Sequence, residues 1–496
     1  MALIVTRQAD RAEARRVERR AQAGELRRLY AGIYTDDLTA PLETVARREL
    51  FSLCALLAPG AIVSHRSAID LRPTSAGDVF LTGPYRRDLL NVHGLSLRVI
   101  RGPGPLPDDV TIPTPFGTTY RSSDARALLE NLTRSAGDAA TRRTLGQAAV
   151  EAWLERLLAR EGEEPLNKLR DRARDASERL GLQAAFRRLD VTIGALLGTR
   201  KATFAAPAAA ARGRGRPYDE PRVRLFDRVL EQLAANPPAI PPVGPALDPS
   251  LQAFIESYFS NYIEGTEFAL EEAHEIVVHG KPLVYREDDS HDVLGTYQAI
   301  LDSVAAPRFP QNGAEFLEQL RAWNRRVIQS RAAKRPGEIK AEPNRAGNTV
   351  FVAPELVPGT LEQGFTRVMA AGTPEARSAM AMFVVAEVHP FADGNGRTAR
   401  LAMNLALSAG ARTRIVVPTV YREDYLLSLK ALSNNGDTTP YVRMLTRAAE
   451  FSRWLRYDSV EATFAQLHAS NALKRPSEAR LELPAPAQRG RVEVPR

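Results

Sequence analysis

The chain has 496 residues, 44% hydrophobic and 25% charged, enough for two or three domains with full cores. A single cysteine, Cys54, excludes an internal disulfide and a Cys-rich zinc site, and the seven histidines are scattered without metal-ligand spacing. The net charge of +8 is uneven: residues 1–216 hold 35 Lys and Arg against 25 Asp and Glu, and the rest hold 32 against 34, which makes nucleic acid the first partner class for the front half.

The opening MALIV is too short an apolar run for a signal peptide, and no stretch approaches the ~18 apolar residues of a membrane span. A soluble, cytoplasmic, bacterial protein with no membrane partner is the expectation. The Arg-rich start reads as a helix. GELRRLYAGIYTDD, residues 24–37, then reads as two short strands around Ala31-Gly32, with Leu26, Leu29, Ile33 and Tyr34 apolar. A helix followed by a basic hairpin is the layout of a winged helix, with Arg27 and Arg28 available to DNA phosphates. LLAPGAIVSHRSAIDL comes next, then the strand-like DVFLTG and NVHGLSLRVIRG, then a helical run from about Ser122 to Leu197. This order, with GELRRLYAGIYT and PGAIVSHRSAI, resembles the AbiEi-type antitoxins over residues 1–200. The resemblance implies a transcriptional repressor of a toxin–antitoxin system.

KATFAAPAAAARGRGRPYDEP, within residues 201–222, lacks usable periodicity and reads as a linker. NPPAIPPVGPALDP is expected to wrap the surface of the C-terminal half. In FSNYIEGTEF, residues 259–268, Ser260 and Glu264 stand four apart, on one face if helical, ahead of Gly265. GEIKAEPNRAGNTVFVAPELVPG, residues 337–359, contains a short alternating strand, Thr349, Val350, Phe351 and Val352. MAMFVVAEV reads as a buried helix that ends at a His-Pro step, because Met380, Phe383, Val384, Ala386 and Val388 keep helical spacing.

HPFADGNGRTAR, residues 389–400, comes immediately after that helix. Gly394, Asn395 and Gly396 open a second helix whose apolar face is Ala399, Ala402, Leu405 and Ala406, so a glycine-led helix N-terminus faces any anion. Arg397 and Arg400 lie three apart in its first turns, where cations oppose the macrodipole and an anionic partner compensates them. Asp393 is a hard oxygen ligand suited to Mg²⁺ on phosphates, and His389 is a candidate base.

The stretch resembles the signature of Fic-domain proteins, H-P-F-x-D-G-N-G-R-x-x-R, at all nine specified positions, at about one chance in twenty each. The resemblance spans about residues 223–455. It implies transfer of AMP from ATP to a Ser, Thr or Tyr hydroxyl of a target protein. His389 is then the general base, Phe391 the anchor of the loop and Asp393 the Mg²⁺ ligand. Gly394, Asn395 and Gly396 form the anion hole, and Arg397 and Arg400 hold the β/γ end. Gly396, where a phosphorylating subfamily has Lys, argues for adenylylation. Ser260, Glu264 and Gly265 resemble the family's inhibitory motif, whose glutamate pairs with the second arginine, here Arg400. Residues 349–352 resemble the flap that aligns the target by strand addition, and Tyr425 or Asn434 borders the adenine. RAWNRRV carries Asn324 where members often have a histidine.

The expected fold is mostly α: an all-helical Fic domain over 223–460 with a β-hairpin flap and an inhibitory helix near 255–265, preceded by an α+β winged-helix-like antitoxin region. Residues 461–496 are expected to be a disordered tail. The partners are ATP, a target protein that includes the chain itself among the candidates, DNA through the N-terminal region, and a second copy in a homodimer. The rival functions are a nucleotide-responsive DNA-binding regulator, and a Fic enzyme that removes AMP or transfers UMP.

Overall fold

The computed structural model describes residues 2–6, 10–244, 248–347 and 349–483, and the chain divides into two compact units, Met1–Arg214 and Gly215–Arg496. The fold is mostly helical, as expected.

The first unit opens with β1 (Leu3–Val5), α1 (Arg11–Gln22), β2 (Arg27–Tyr30) and β3 (Ile33–Thr35). Asp10 caps α1, its Oδ1 accepting the N–H groups of Ala12 and Glu13 at 2.8 Å each. The strands form an antiparallel sheet in the order β1-β3-β2, and β2 and β3 turn at Ala31-Gly32, where the sequence places the hairpin. One helix precedes that hairpin among the described residues, whereas a winged helix needs a helix pair there. Arg27 differs from its expected role: its Nη1 donates to the Ala40 carbonyl at 2.7 Å, so the guanidinium holds the 37–40 turn. Arg28 remains exposed.

Beyond it lie α2 (Leu42–Arg48), α3 (Leu50–Leu57), β4 (Ile62–Val63), α4 (His65–Asp70), β5 (Asp78–Gly83), β6 (Arg87–Val92), β7 (Leu95–Arg101), β8 (Val110–Thr114) and β9 (Gly117–Arg121). A six-stranded sheet runs β6-β7-β5-β4-β9-β8, with β5/β7 and β4/β9 parallel and the other pairs antiparallel. Val79 and Leu81 on β5 and Leu97 and Val99 on β7 alternate into a core shared with Leu53 and Leu57 of α3. The expected helical run is four helices, α5 (Asp124–Asn131), α6 (Gln147–Glu161), α7 (Glu163–Leu180) and α8 (Gln183–Leu196).

The expected linker is a correction. Residues Pro207–Gly213 form α9, with Pro207 starting the helix and Ala208, Ala209 and Ala211 buried. Proline at a first helical position followed by alanines favours a helix, and the small side chains let it pack on α6 and α8. The unit boundary therefore falls after Arg214 and not near residue 200.

The second unit contains α10 (Glu220–Ala235), α11 (Pro249–Ile263), α12 (Leu270–His279), α13 (Glu287–Ala305), α14 (Gly313–Val327), β10 (Arg345–Ala346), β11 (Thr349–Val350), α15 (Val357–Ala370), α16 (Pro374–Val388), α17 (Asn395–Ala409), α18 (Arg422–Asn435), α19 (Thr439–Trp454) and α20 (Val460–Ala469). Thr373 caps α16, accepting the Ala376 N–H at 3.2 Å, and Pro374 opens it. Residues 378–385 of α16 are all buried, the mark of a central helix apolar on every side. It packs on α17, and α10 and α15 cover it further. The Pro-rich segment runs along the chain that leaves α17, where the Thr413 N–H donates to the Pro241 carbonyl at 3.0 Å.

The expected tail is also corrected. Residues 461–469 belong to α20, and Leu467, Ala472, Leu481 and Leu483 join a core with Phe254 and Phe259 of α11. Apolar residues spaced irregularly along a turn-rich segment can still cover a core, which helical periodicity does not reveal. The rest of that expected tail, residues 484–496, lies outside the described residues. No described helix is long and apolar enough to cross a membrane.

Candidate active site

α16 stops at His389, which takes left-handed torsions, φ 53° and ψ 61°, while its N–H still bonds the Val385 carbonyl at 3.0 Å. A non-glycine residue in that region is uncommon and costs strain, which the surrounding structure must hold. The His389 Nδ1 lies 3.3 Å from the Ala386 carbonyl oxygen. A carbonyl only accepts, so this bond puts the proton on Nδ1 and leaves Nε2 bare. Burial pulls the imidazole pKa from 6.5 down to about 4, so the ring is neutral near pH 7. Phe351 stacks on its face, with ring centroids 3.8 Å apart and planes 8° apart.

The loop after His389 is pinned from below. Phe391 is fully buried, and the Asn395 side chain brackets it, its Oδ1 accepting the Phe391 N–H at 2.9 Å and its Nδ2 donating to the Phe391 carbonyl at 2.8 Å. The Asp393 carbonyl accepts from Asn324 Nδ2 at 2.8 Å, and Asn324 Oδ1 takes the Gly337 N–H at 2.9 Å. Gly394, at φ 76°, turns the chain into α17, and a Cβ there would lie 2.9 Å from Asn324 Nδ2. The first N–H groups of the 15-residue α17 have no partner within the helix, so they offer an anion site.

Glu264 stands on that site. It follows α11, and its Oε1 accepts from Arg400 Nη2 at 2.7 Å. A Cβ on Gly396 would meet the same Oε1 at 2.1 Å. The inhibitory glutamate of the resemblance thus has its carboxylate against the first turn of α17. Burial raises the Glu264 pKa, but the Arg400 charge and, less strongly, Arg397 outweigh it, and the group ends below its usual range. Ser260 completes the contact, its Oγ accepting from Arg400 Nε at 2.9 Å and its carbonyl from Nη2 at 2.8 Å. Gly265, at φ 94°, turns the chain away. Gly396→Ala is therefore expected to push the Glu264 carboxylate aside while filling the space over the helix start. ATP binding should weaken about tenfold or more, roughly 1.4 kcal/mol, in calorimetric titration; parent-like affinity would refute this packing.

The two arginines part company. Arg400 faces Glu264 and Ser260, and its Nη1 lies 3.2 Å from the Tyr425 hydroxyl. Arg397 is held from beneath, its Nη1 2.6 Å from Asp292 Oδ2 and 3.1 Å from Asn261 Oδ1, while its Nη2 lies 3.7 Å from Asp393 Oδ1. Asp292 is fully buried on α13 and needs compensating charge, which Arg397 and Arg331 supply. Arg397 thus ties α17 to α13 beneath the loop. Tyr425, expected beside adenine, is 1% exposed and spends its hydroxyl on Arg400, while Asn434 is exposed.

The flap forms as a short hairpin with Arg345 opposite Val350 and Ala346 opposite Thr349. Val350 is 58% exposed, Phe351 covers His389 and Val352 is buried. Asn324, Asn344, Asp292 and Lys340 escape a sequence reading as site residues. Asp292 has one usable signal, a carboxylate immediately before the apolar stretch VLGTYQAI.

Among the described residues no three His, Cys, Asp or Glu converge on a metal position. Asp393 is a lone carboxylate, 34% exposed, at the edge of the anion site. That donor set fits Mg²⁺, which takes most of its ligands from phosphates and water.

Residues 316–407 match the model of the Fic/DOC family. The chain is 29% identical over 198 residues to the protein adenylyltransferase fic-1 of Caenorhabditis briggsae and 29% identical over 203 residues to the protein adenylyltransferase Fic of Drosophila ananassae. Each match covers 38% of this chain and 38% of the relative, so the chain spans well under half the length of these relatives. Fic-1 from Caenorhabditis elegans superposes with a TM-score of 0.37 at 20% identity, covering 65% of this chain and 94% of that one. A Fic-domain-containing signaling protein from Bacteroides thetaiotaomicron gives 0.36 at 19% identity, covering 47% and 95%. The loop from His389 to Arg400 lies inside the segment that matches the Fic/DOC family model.

Proposed function

We propose that the chain is an autoinhibited protein adenylyltransferase that moves AMP from ATP to a Ser, Thr or Tyr hydroxyl of a protein. The observation that carries this reading is a half-buried His389, neutral near pH 7, beside the N-terminus of α17, with Glu264 seated on that N-terminus. His389 Nε2 accepts the hydroxyl proton as the oxygen attacks the α-phosphorus. The new P–O bond forms while the bond to the bridging oxygen breaks, and pyrophosphate leaves. The backbone N–H groups of α17 and Arg400 receive phosphate charge once Glu264 moves away. Asp393 would hold Mg²⁺, which neutralises charge on the leaving pyrophosphate when bound. Incubation with ATP labelled at the α-phosphate tests this. Label on protein that disappears with His389→Ala supports it; label that persists in that variant removes the base, and no label from a released, ATP-binding protein removes the reaction.

A second activity is proposed for the first unit, DNA-backbone binding. Arg15, Arg16 and Arg19 on α1 and Arg28 on β2 are all exposed. Charge reversal of Arg15, Arg16 and Arg19 to Glu should abolish a mobility shift with duplex DNA at low salt; an unchanged shift would reject this surface.

A further inference from the structure

Lys340 lies outside the catalytic loop, on the segment that leads into the flap, and the transfer reaction gives it no part. It is nevertheless only 4% exposed, and a lysine is rarely buried without a reason. Its backbone N–H donates to the Pro390 carbonyl at 3.0 Å, one residue past His389. Its ammonium donates to Asn344 Oδ1 at 2.6 Å and lies 5.9 Å from the Phe351 ring centroid. Asn344 carries the connection onward. Its Nδ2 donates to the Phe391 carbonyl at 3.0 Å, and its own carbonyl accepts the Phe351 N–H at 3.1 Å. Phe351 closes the circuit on the His389 ring.

We propose that Lys340 is a positioning residue for the proton transfer: by fixing Asn344 and Phe351 it clamps the flap to the catalytic loop and holds the His389 ring in place. The proposal rests on the reading of His389 as the base. An amide that donates through Nδ2 to Phe391 needs a donor for Oδ1, and the ammonium supplies it. Without that donor the carboxamide is free to turn, the Phe391 carbonyl loses one of its two side-chain donors, and the Asn344 main chain that bonds the Phe351 N–H is no longer tied to the loop. The electrostatics agree. Burial, with Arg222 on α10 nearby, brings the Lys340 pKa down to about 8. Burial and then Lys340 hold His389 low, against Glu264 after α11, Asp393 in the loop and the Ala386 bond, which favour the charged ring.

Lys340→Met, Lys340→Arg and Asn344→Ala, each in the full chain with and without Glu264→Gly, test the clamp. Lys340→Met should speed hydrogen exchange at the Phe351 amide about tenfold or more and raise the His389 titration, read by NMR of labelled histidine, from about 4 toward 6.5. The transfer kcat should fall about 10- to 100-fold, with the KM for ATP changed less than about twofold. Lys340→Arg should restore most of the loss, and Asn344→Ala, which cuts the circuit from its other side, should reproduce it. Parent-like exchange and parent-like His389 titration in Lys340→Met, or in Asn344→Ala if the first variant does not fold, would overturn the clamp whatever the activity. Transfer that survives His389→Ala would instead remove the base, while exchange and titration still decide on Lys340.

Discussion

Glu264→Gly is expected to raise AMP transfer on the order of 100-fold, about 2.7 kcal/mol of barrier. The Glu264 carboxylate occupies the space over Gly396, where the first N–H groups of α17, which have no partner within the helix, would meet phosphate. Removing it opens that space and leaves Arg400 with the Ser260 carbonyl and the Tyr425 hydroxyl, so the buried guanidinium is not stranded. The carboxylate is 31% exposed, which makes its pair with Arg400 weaker than a fully buried one and keeps release within reach of a modest partner. Acid is a poor release signal. The Glu264 pKa is depressed by Arg400, so the pair is intact above the ordinary carboxylate range and is lost only as pH falls through the lowered value. Equal label incorporation by parent and Glu264→Gly proteins, with ATP binding shown for both, would remove the brake.

His389→Ala in the released protein should lower kcat by roughly 10²- to 10⁴-fold, the usual worth of a positioned base. The pH profile carries more information than the loss itself. With a folded-state pKa near 4, the imidazole is the bare base at every pH above that value. Transfer should therefore stay level from about pH 5.5 to 7.5 and fall only as pH drops through about 4. An acid limb centred at pH 6.5 would show an unburied imidazole and contradict the Phe351 cover. Stability depends on the same group. Between pH 6.5 and about 4 the unfolded chain binds the proton that the folded site refuses, so the contribution of His389 to stability declines as pH falls through that window and levels off below it.

The candidate catalytic loop is legible in the sequence because its residues are local. His389, Asp393 and the glycines sit on one turn and one helix start, and twelve consecutive residues specify both. Glu264 is legible only through resemblance, since nothing in FSNYIEGTEF tells where its carboxylate goes. Arg397 shows the limit most clearly. Its place three residues before Arg400 suggests a shared ligand, and nothing local shows that a buried Asp292 more than a hundred positions earlier pairs with it. Asn324 and Asn344 are invisible for the same reason: each holds a carbonyl that is distant in sequence, and an amide side chain carries no periodic signal. The linker and tail mislead because alanine, proline and scattered leucines lack amphipathic period, yet small or isolated apolar groups still bury well against a preformed surface.

The contact of Glu264 with Gly396 has a thermodynamic corollary. If the carboxylate and a bound phosphate exclude each other from the start of α17, then nucleotide occupancy and displacement of the end of α11 are coupled, and the coupling is reciprocal. Any partner that draws α11 outward tightens ATP by the same factor by which ATP tightens that partner. The setting of the brake is then a property of the two concentrations together, and a rise in ATP alone shifts the resting population toward the active form.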